Sequence, residues 1–490
     1  MGMKDQLNPQ GELSERVRTQ FYIDGRWCDA RSAERLELVS PITENVILTV
    51  PGGCAEDMSA AVDAARRAFD TGPWPRMAPS ERAQVLRRIG QAIAVRQELF
   101  ARVWTAQVGA TIGFTTMFSS LIPGYYDYYA SLADHYAFED VRKTAQGHAR
   151  VVREPVGACA LILPWNAPLI LLSQKLAAGL FAGCTFVVKP SPETPLDALI
   201  LAECAEEAGL PPGVLNIVPA GREAGDALIR DPRIDKVSFT GSTDAGRHIG
   251  AVCASRIARC SLELGGKSAA IICEDADLQT ALGTIVPFAM PFSGQICFSQ
   301  TRVLVPQSRH DEILDAYVEA VGHIRLGDPW DTATTMGPLS MGRQRDRVLS
   351  YIEKGRGEGA RLVKGGGTGG FNQGYFVEPT IFDRVTPDMV IAQEEIFGPV
   401  VSILTYSNEE EAVAIANNSQ FGLSGTVFSK DVGRAESIAR RVRTGNISIN
   451  GLQIDPSVPF GGFKQSGIGR EGGVEGLEVF LEPKAIYFPA

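Results

Sequence analysis

Metal-binding patterns are what this 490-residue chain most clearly lacks. Its five histidines form no H-E-x-x-H or similar cluster, and its nine cysteines, at positions 28, 54, 159, 184, 204, 253, 260, 273 and 297, include no C-x-x-C pair. Neither a metal site nor a dithiol redox motif is therefore expected. An odd number of scattered thiols points instead to a reducing cytoplasm. No basic run breaks the balance of 47 basic against 57 acidic residues, a net charge of −10, so nucleic acid is not an expected partner. Long apolar runs are missing as well. The most apolar stretch, 158–172, is interrupted by Pro164, Asn166 and Pro168 and is too short to span a bilayer. Residues 1–20 are polar, without the apolar core of a signal peptide, and read as a loose arm on a soluble protein that has no membrane partner.

Glycine is the one excess. Its 51 residues fit a chain with many tight turns and places where backbone approaches a ligand. With 44% hydrophobic and 21% charged residues the composition is globular, and the length exceeds one core, so two or three domains are expected. Residues 21–27 (FYIDGRW) predict a hairpin with an Asp-Gly turn. Apolar residues recur at helical spacing over 55–69, over 80–108 with Ser80 as N-cap, and over 125–138. Residues 141–154 alternate around Gly147 as a solvent-facing hairpin does, and the tail 480–488 reads as a strand able to pair with it.

From Val156 the pattern changes to short apolar strands (ACALIL, TFVVK, VLNIV, KVSFT), each followed by a helix, which implies a parallel sheet covered on both faces. A second series, SAAIIC, RVLVP, VVSILTY and GTVFS with helices near 313–321 and ending at Ala416, predicts another α/β domain. The glycine run 364–370 predicts a surface turn. Open parallel sheets bind ligands at the carboxyl ends of their strands. Three segments fall there: Pro164-Trp165-Asn166, Lys189-Pro190-Ser191 and Phe239-Thr240-Gly241-Ser242. Ser242 and the helix N-terminus after it suit a pyrophosphate. The G-x-G-x-x-G fingerprint that usually joins strand to helix is absent from this series; Gly221 and Gly225 supply only G-x-x-x-G.

Three further segments carry chemistry. Cys297, in Gly294-Gln295-Ile296-Cys297, is a soft nucleophile in an apolar setting. Glu263, in Leu262-Glu263-Leu264-Gly265-Gly266-Lys267, lies between leucines that would raise its pKa toward that of a general base. A second carboxylate, Glu395, sits in Glu394-Glu395-Ile396-Phe397-Gly398-Pro399. With Pro164-Trp165-Asn166-Ala167-Pro168, Phe239-Thr240-Gly241-Ser242-Thr243 and 459–467 (PFGGFKQSG), these occur in an order that resembles the aldehyde dehydrogenase superfamily over most of the chain.

The resemblance implies an α/β fold of two parallel-sheet domains: a variant Rossmann cofactor domain (1–138 and 156–265) and a catalytic domain (266–465). A small β oligomerisation element (139–155 and 466–490) would build a homodimer or homotetramer. It implies a catalytic set of Cys297 as nucleophile, Asn166 as oxyanion donor and Glu263 as base, with Lys175 and Glu471 as a proton relay. Around the cofactor it places Leu163, Pro164, Trp165, Lys189, Ser191, Pro192, Gly221, Gly225, Phe239, Gly241, Ser242, Leu264, Gly265, Glu395 and Phe397. Many NAD-preferring members have Glu where this chain has Pro192, with Glu193 one step on, so NAD is expected and NADP stays open. The aldehyde tunnel would be lined by Met117, Leu121, Ala167, Leu171, Gln174, Met290, Pro291, Ile296, Phe298, Ile454 and Phe460. None is a lysine or arginine that could grip a carboxylate or phosphate, so a medium or bulky apolar aldehyde is expected: aliphatic, aromatic or terpenoid. The rivals are a coenzyme A-acylating member, an inactive binding or structural member, and a cysteine hydrolase.

Overall fold

The protein was analysed as a computed structural model that describes residues 16–489; of the arm expected at 1–20, residues 1–15 lie outside them. Wholly buried runs of β-branched and small residues make the centre of the first sheet. Ala158–Ile162, Thr185–Lys189 and Lys236–Thr240 are buried at every position, which only a strand covered on both faces tolerates. The strand order is Arg26–Cys28, Phe21–Ile23, Leu215–Ile217, Thr185–Lys189, Ala158–Ile162, Lys236–Thr240, Arg259–Glu263 and Gly467–Ile468. The pairings from Leu215–Ile217 to Arg259–Glu263 are parallel, and both edges close with antiparallel partners. The turn of the 21–28 hairpin falls at Asp24 (φ 54°) and Gly25 (φ 71°), as the Asp-Gly pair predicts.

A second sheet runs Arg361–Lys364, Thr380–Asp383, Val400–Tyr406, Arg302–Pro306, Ala269–Ile272, Gly425–Phe428 and Ser448–Ile449, parallel except at its first pair. The α/β class and both series are thus borne out. Leu481–Pro489 pairs antiparallel with Gly147–Pro155 in unbroken register, from Leu481 opposite Pro155 to Pro489 opposite Gly147. Glu139–Thr144 completes this three-stranded sheet. No helix among the described residues is long and apolar enough to cross a membrane.

Several boundaries differ from expectation for local reasons. The 80–108 run is two helices, Pro79–Val95 and Gln97–Val108, broken at Arg96 (φ −101°, ψ 13°). Ser80 is not a cap: Pro79 occupies the first helical position, where its fixed φ is favourable and its missing N–H costs nothing. Glu81 accepts from the Ala78 N–H at 2.7 Å. The 125–138 run starts earlier, at Pro123, and its α-helix ends at Ser131 before a 3₁₀ turn at Leu132–Asp134. The hairpin of Arg35–Val39 with Val46–Pro51 and the helices Leu278–Ala289 and Gly342–Gly357 were not anticipated.

Candidate active site

Cys297 follows a strained turn. Phe292 (φ 62°) and Ser293 (φ 53°) are consecutive non-glycine residues in the left-handed region, at a cost of about 1–3 kcal/mol each. Buried hydrogen bonds hold them there. Ser293 Oγ reaches the carbonyls of Gly337 (2.7 Å) and Pro338 (3.1 Å). Gln295 donates to the Phe292 carbonyl (3.2 Å) and accepts from the Ser340 N–H (2.9 Å). A second loop meets the first at Gly266, where a Cβ would overlap the Cys297 carbonyl, so only glycine lets the 263–267 segment lie against the thiol's backbone.

The thiol stands where two cavities meet. One, of about 520 Å³, is lined mainly by apolar and aromatic side chains, among them Trp104, Phe114, Met117, Leu121, Ala167, Ile170, Leu171, Phe288, Phe292, Ile296, Phe298, Ile454 and Phe460. The other, of about 540 Å³, is polar and is lined by Pro164, Trp165, Thr240, Gly241, Ser242, Thr243, Leu264, Gly265, Arg347, Glu395 and Phe397, among others. Cys297, Asn166 and Leu171 belong to both. Asn166 is fixed from two sides: its Nδ2 donates to the Gln295 carbonyl (3.0 Å), and its own carbonyl accepts from Trp104 Nε1 (2.8 Å). Trp165 meets the Phe397 ring edge-on at 5.4 Å, and Phe397 itself has φ 60°.

Burial pushes the Cys297 thiol up to about 12, with the charges of Glu395 and Glu263 adding to the rise and the backbone N–H groups of Phe298 and Cys297 opposing it. The resting thiol is therefore protonated at neutral pH, and attack on a carbon requires a proton acceptor. Glu263 qualifies. It lines neither cavity, is 5% exposed, and neither carboxyl oxygen has a partner. Burial first, and then the Glu471 charge, raise its pKa well above the carboxylate range, against Lys175 and Arg470. Lys175 is fully buried, donates to Thr240 Oγ1 (2.6 Å) and pairs with Glu471, whose second carboxyl oxygen is unpartnered. Burial also raises Glu395 to about 7, although its Oε1 accepts from the Gly266 N–H at 3.0 Å.

Of the expected cofactor residues, Pro164, Trp165, Gly241, Ser242, Leu264, Gly265, Glu395 and Phe397 line the polar cavity. Leu163 and Phe239 do not, being buried in the cores on either side of the first sheet. Lys189, Ser191 and Pro192, at the end of the strand Thr185–Lys189, and Gly221 and Gly225, at the start of the helix Arg222–Arg230, also lie outside that lining. Lys189 Nζ donates to the Pro190 and Ala220 carbonyls (3.0 and 3.1 Å), and its stem closes against Gly225. Ser191 donates to Glu193, which also pairs with Arg343.

Of the expected tunnel residues, Met290 and Pro291 are not in the chamber's lining: Met290 is wholly buried in the core under the second sheet, and Pro291 opens the 3₁₀ turn ahead of Cys297. The other nine line the chamber. Sequence reasoning missed Trp104, Phe114, Phe118, Tyr125 and Phe288 in the chamber and Arg247, Gln344 and Arg347 in the polar cavity. The one available signal was the aromatic density of 104–128. Among the described residues, no group of three or more His, Cys, Asp or Glu is placed to hold a metal.

Residues 27–486 match the aldehyde dehydrogenase family. Geranial dehydrogenase from Castellaniella defragrans is 45% identical over 469 residues, which cover 95% of this chain and 98% of that protein. The crystal structure of Mycobacterium tuberculosis aldehyde dehydrogenase complexed with NAD+ is similar with a TM-score of 0.94 and 45% identity, covering 96% of this chain and 98% of that one. A Pseudomonas syringae aldehyde dehydrogenase C mutant, complexed with NAD+ and octanal, has a TM-score of 0.93 and 41% identity, with 96% and 98% coverage. With a thiol at the meeting of a polar and an apolar cavity and this likeness along nearly its whole length, the chain belongs to the aldehyde dehydrogenase family, oxidoreductases acting on the aldehyde group.

Proposed function

We propose that the protein oxidises medium or bulky apolar aldehydes to carboxylic acids with NAD, through a thioester on Cys297. The observation that carries this reading is the position of Cys297: one face toward an apolar chamber with no lysine or arginine in its lining, the other toward a polar cavity. That cavity fits a dinucleotide. Ser242 caps the helix Thr243–Ser255, whose free N–H groups and dipole favour a pyrophosphate. Glu395 and Phe397 line the cavity near the thiol end and suit the nicotinamide ribose, while Lys189, Gly221 and Gly225 suit the adenosine end. When bound, the nicotinamide supplies a hydride acceptor.

The chain's own residues do the rest. The Cys297 sulfur bonds to the aldehyde carbon as its proton passes to a carboxylate. A primary amide has two N–H donors, and Asn166 spends one on Gln295, leaving the other for the developing oxyanion. Loss of hydride turns the thiohemiacetal into a thioester. Lys175 and Glu471 carry the thiol's proton onward, so that Glu263 is free to take one from water; the hydroxide displaces sulfur as a thiolate, Glu263 returns that proton to it, and the free thiol and the acid result. The unpartnered Glu263 carboxyl supports hydrolysis over transfer to coenzyme A and over an inactive scaffold. Relatives solved with NAD+ support NAD, as does the Glu193 carboxylate beside Ser191. The cofactor and catalytic domain boundaries above, a cytoplasmic location and a homo-oligomer built through the 139–155 and 466–490 segments complete the proposal.

Stopped-flow traces of reduced nicotinamide with hexanal, benzaldehyde and succinic semialdehyde test it. Wild type should turn over the first two fastest, and Glu263→Gln should give a burst of about one equivalent and then stall. Faster turnover of the semialdehyde than of either apolar aldehyde would overturn the substrate reading.

A further inference from the structure

The chamber has one polar spot on its wall. Ala167, Ile170, Leu171 and Gln174 stand at the spacing that puts side chains on a single face of the helix Pro168–Ala182 and its N-cap, and all four line the cavity. Three are apolar and the fourth is an amide. Gln174 is only 6% exposed, and the cavity is where it is exposed. A polar neighbour in the same lining is the Tyr125 hydroxyl, which is 7% exposed and whose ionised form the amide favours. One such neighbour leaves most of the amide's two donors and two acceptor lone pairs unused. These groups border the chamber, so a ligand that fills it leaves them unpaired, at a cost, unless it brings partners of its own.

We infer that Gln174 and Tyr125 form a polar anchor that selects, among apolar aldehydes, those carrying an uncharged hydrogen-bonding group remote from the aldehyde carbon: a hydroxyl, an ether oxygen or a carbonyl. This rests on the apolar-aldehyde reading and narrows it. Seven residues separate Ala167 from Gln174, about 10 Å along a helix, and helical side chains lean back toward the N-terminus, where Asn166 marks the level of the nucleophile. The anchor therefore reaches a substituent opposite the aldehyde on a benzene ring, or one near the far end of a medium aliphatic chain.

The group must be neutral. Burial, with the Glu471 charge, pushes the Tyr125 hydroxyl up to about 12, so it stays un-ionised at neutral pH. No cation lines the chamber, and the exposed Asp455 carboxylate at its rim, held below the usual carboxylate range by Ser457, repels an anion. An anchor without charge orients a ligand by hydrogen bonds alone and discriminates strongly against an analogue that leaves its polar groups unpaired.

The test uses the whole enzyme with NAD and a size-matched pair, 4-(hydroxymethyl)benzaldehyde and 4-ethylbenzaldehyde, on wild type, Gln174→Leu, Gln174→Met and Tyr125→Phe. Wild type should prefer the hydroxylated aldehyde in kcat/KM. In both Gln174 variants that preference should fall by about tenfold, the size of one buried hydrogen bond, mainly through the KM of the hydroxylated aldehyde. Tyr125→Phe should move it the same way by less. An unchanged preference in either Gln174 variant, with NAD binding intact by fluorescence titration, overturns the anchor while both aldehydes are still oxidised. Oxidation of neither aldehyde by wild type overturns the apolar-aldehyde reading and the anchor with it.

Discussion

The two cavities that meet at Cys297 are nearly equal in volume and opposite in character, and the contrast comes from the parts of the fold that face them. The chamber is walled by helix sides: 97–108, 112–119, 123–131, 168–182 and 278–289. A helix side has its backbone groups already paired and presents only side chains, so the wall is as apolar as its residues. The polar cavity is walled by strand ends and by the N-terminus of Thr243–Ser255, where N–H and C=O groups remain free. One cavity thus offers shape and apolar area, the other backbone dipoles, and a single thiol borders both.

The strongest way to break this picture is Cys297→Ala. If the thiol is the only link between the cavities, its loss should lower turnover by roughly 10³-fold or more, while NAD affinity, set by the polar cavity alone, should change by less than about twofold. Single-turnover assays and quenching of tryptophan fluorescence, with Trp165 in the cavity wall, measure the two separately. Residual turnover above about one per cent would mean that the nucleophile lies elsewhere.

A smaller, one-sided effect is expected from Glu193→Gln. Burial alone would raise this carboxyl, but Ser191 and Arg343 outweigh it and hold it below the usual carboxylate range, so it is charged at neutral pH. Removing that charge lifts a repulsion against a 2′-phosphate and frees Arg343. The ratio of kcat/KM for NADP to that for NAD should rise a few-fold, the scale of a partly exposed ion pair, with KM for the aldehyde unmoved. An unchanged cofactor ratio would place Glu193 away from a 2′-phosphate, and a shift in aldehyde KM would show that the two cavities are not independent at this end.

The same contrast explains what the sequence disclosed. Strand ends and tight turns demand particular residues, so Pro164 to Asn166, Gly241, Ser242 and the 263–267 segment stood out. The central strands were plain because a doubly covered strand must be apolar throughout. The 141–154 hairpin was readable from its alternation, and the tail 480–488 as a strand able to pair with it. Helix sides carry no such mark. Trp104, Phe114, Phe118 and Phe288 look like core residues, and that they face a void depends on how five helices and the 452–455 loop gather around it. Arg247 and Arg347 resemble solvent-facing cations on amphipathic helices. Met290 is the reverse case: expected in the tunnel, it is buried in the core under the second sheet.

Behind the chamber wall lies a link that sharpens the comparison by a small effect. Phe460, which lines the chamber, exchanges both backbone hydrogen bonds with Glu471, at 2.6 and 2.7 Å. The Glu471 carboxylate in turn raises the pKa of Glu263, whereas Lys175 and Arg470 lower it. Glu471→Gln removes a negative charge and leaves the full charge of Lys175 acting on Glu263. Both changes favour the ionised carboxylate, so Glu263 should lose its proton at lower pH. Because the carboxylate is the form that acts as base, the acidic limb of the kcat profile should move to lower pH, and at pH 6 the variant should keep a larger share of its own maximum than wild type does. The maximum itself should fall by less than about tenfold, since the nucleophile, the oxyanion donor and the base remain. The substitution breaks a buried ion pair, which destabilises a fold when one partner is left behind, so the profile is to be taken well below the melting transition. A limb that stays in place, or moves to higher pH, would mean that Glu263 responds to its burial alone and that the chamber wall has no electrical connection to the chemistry.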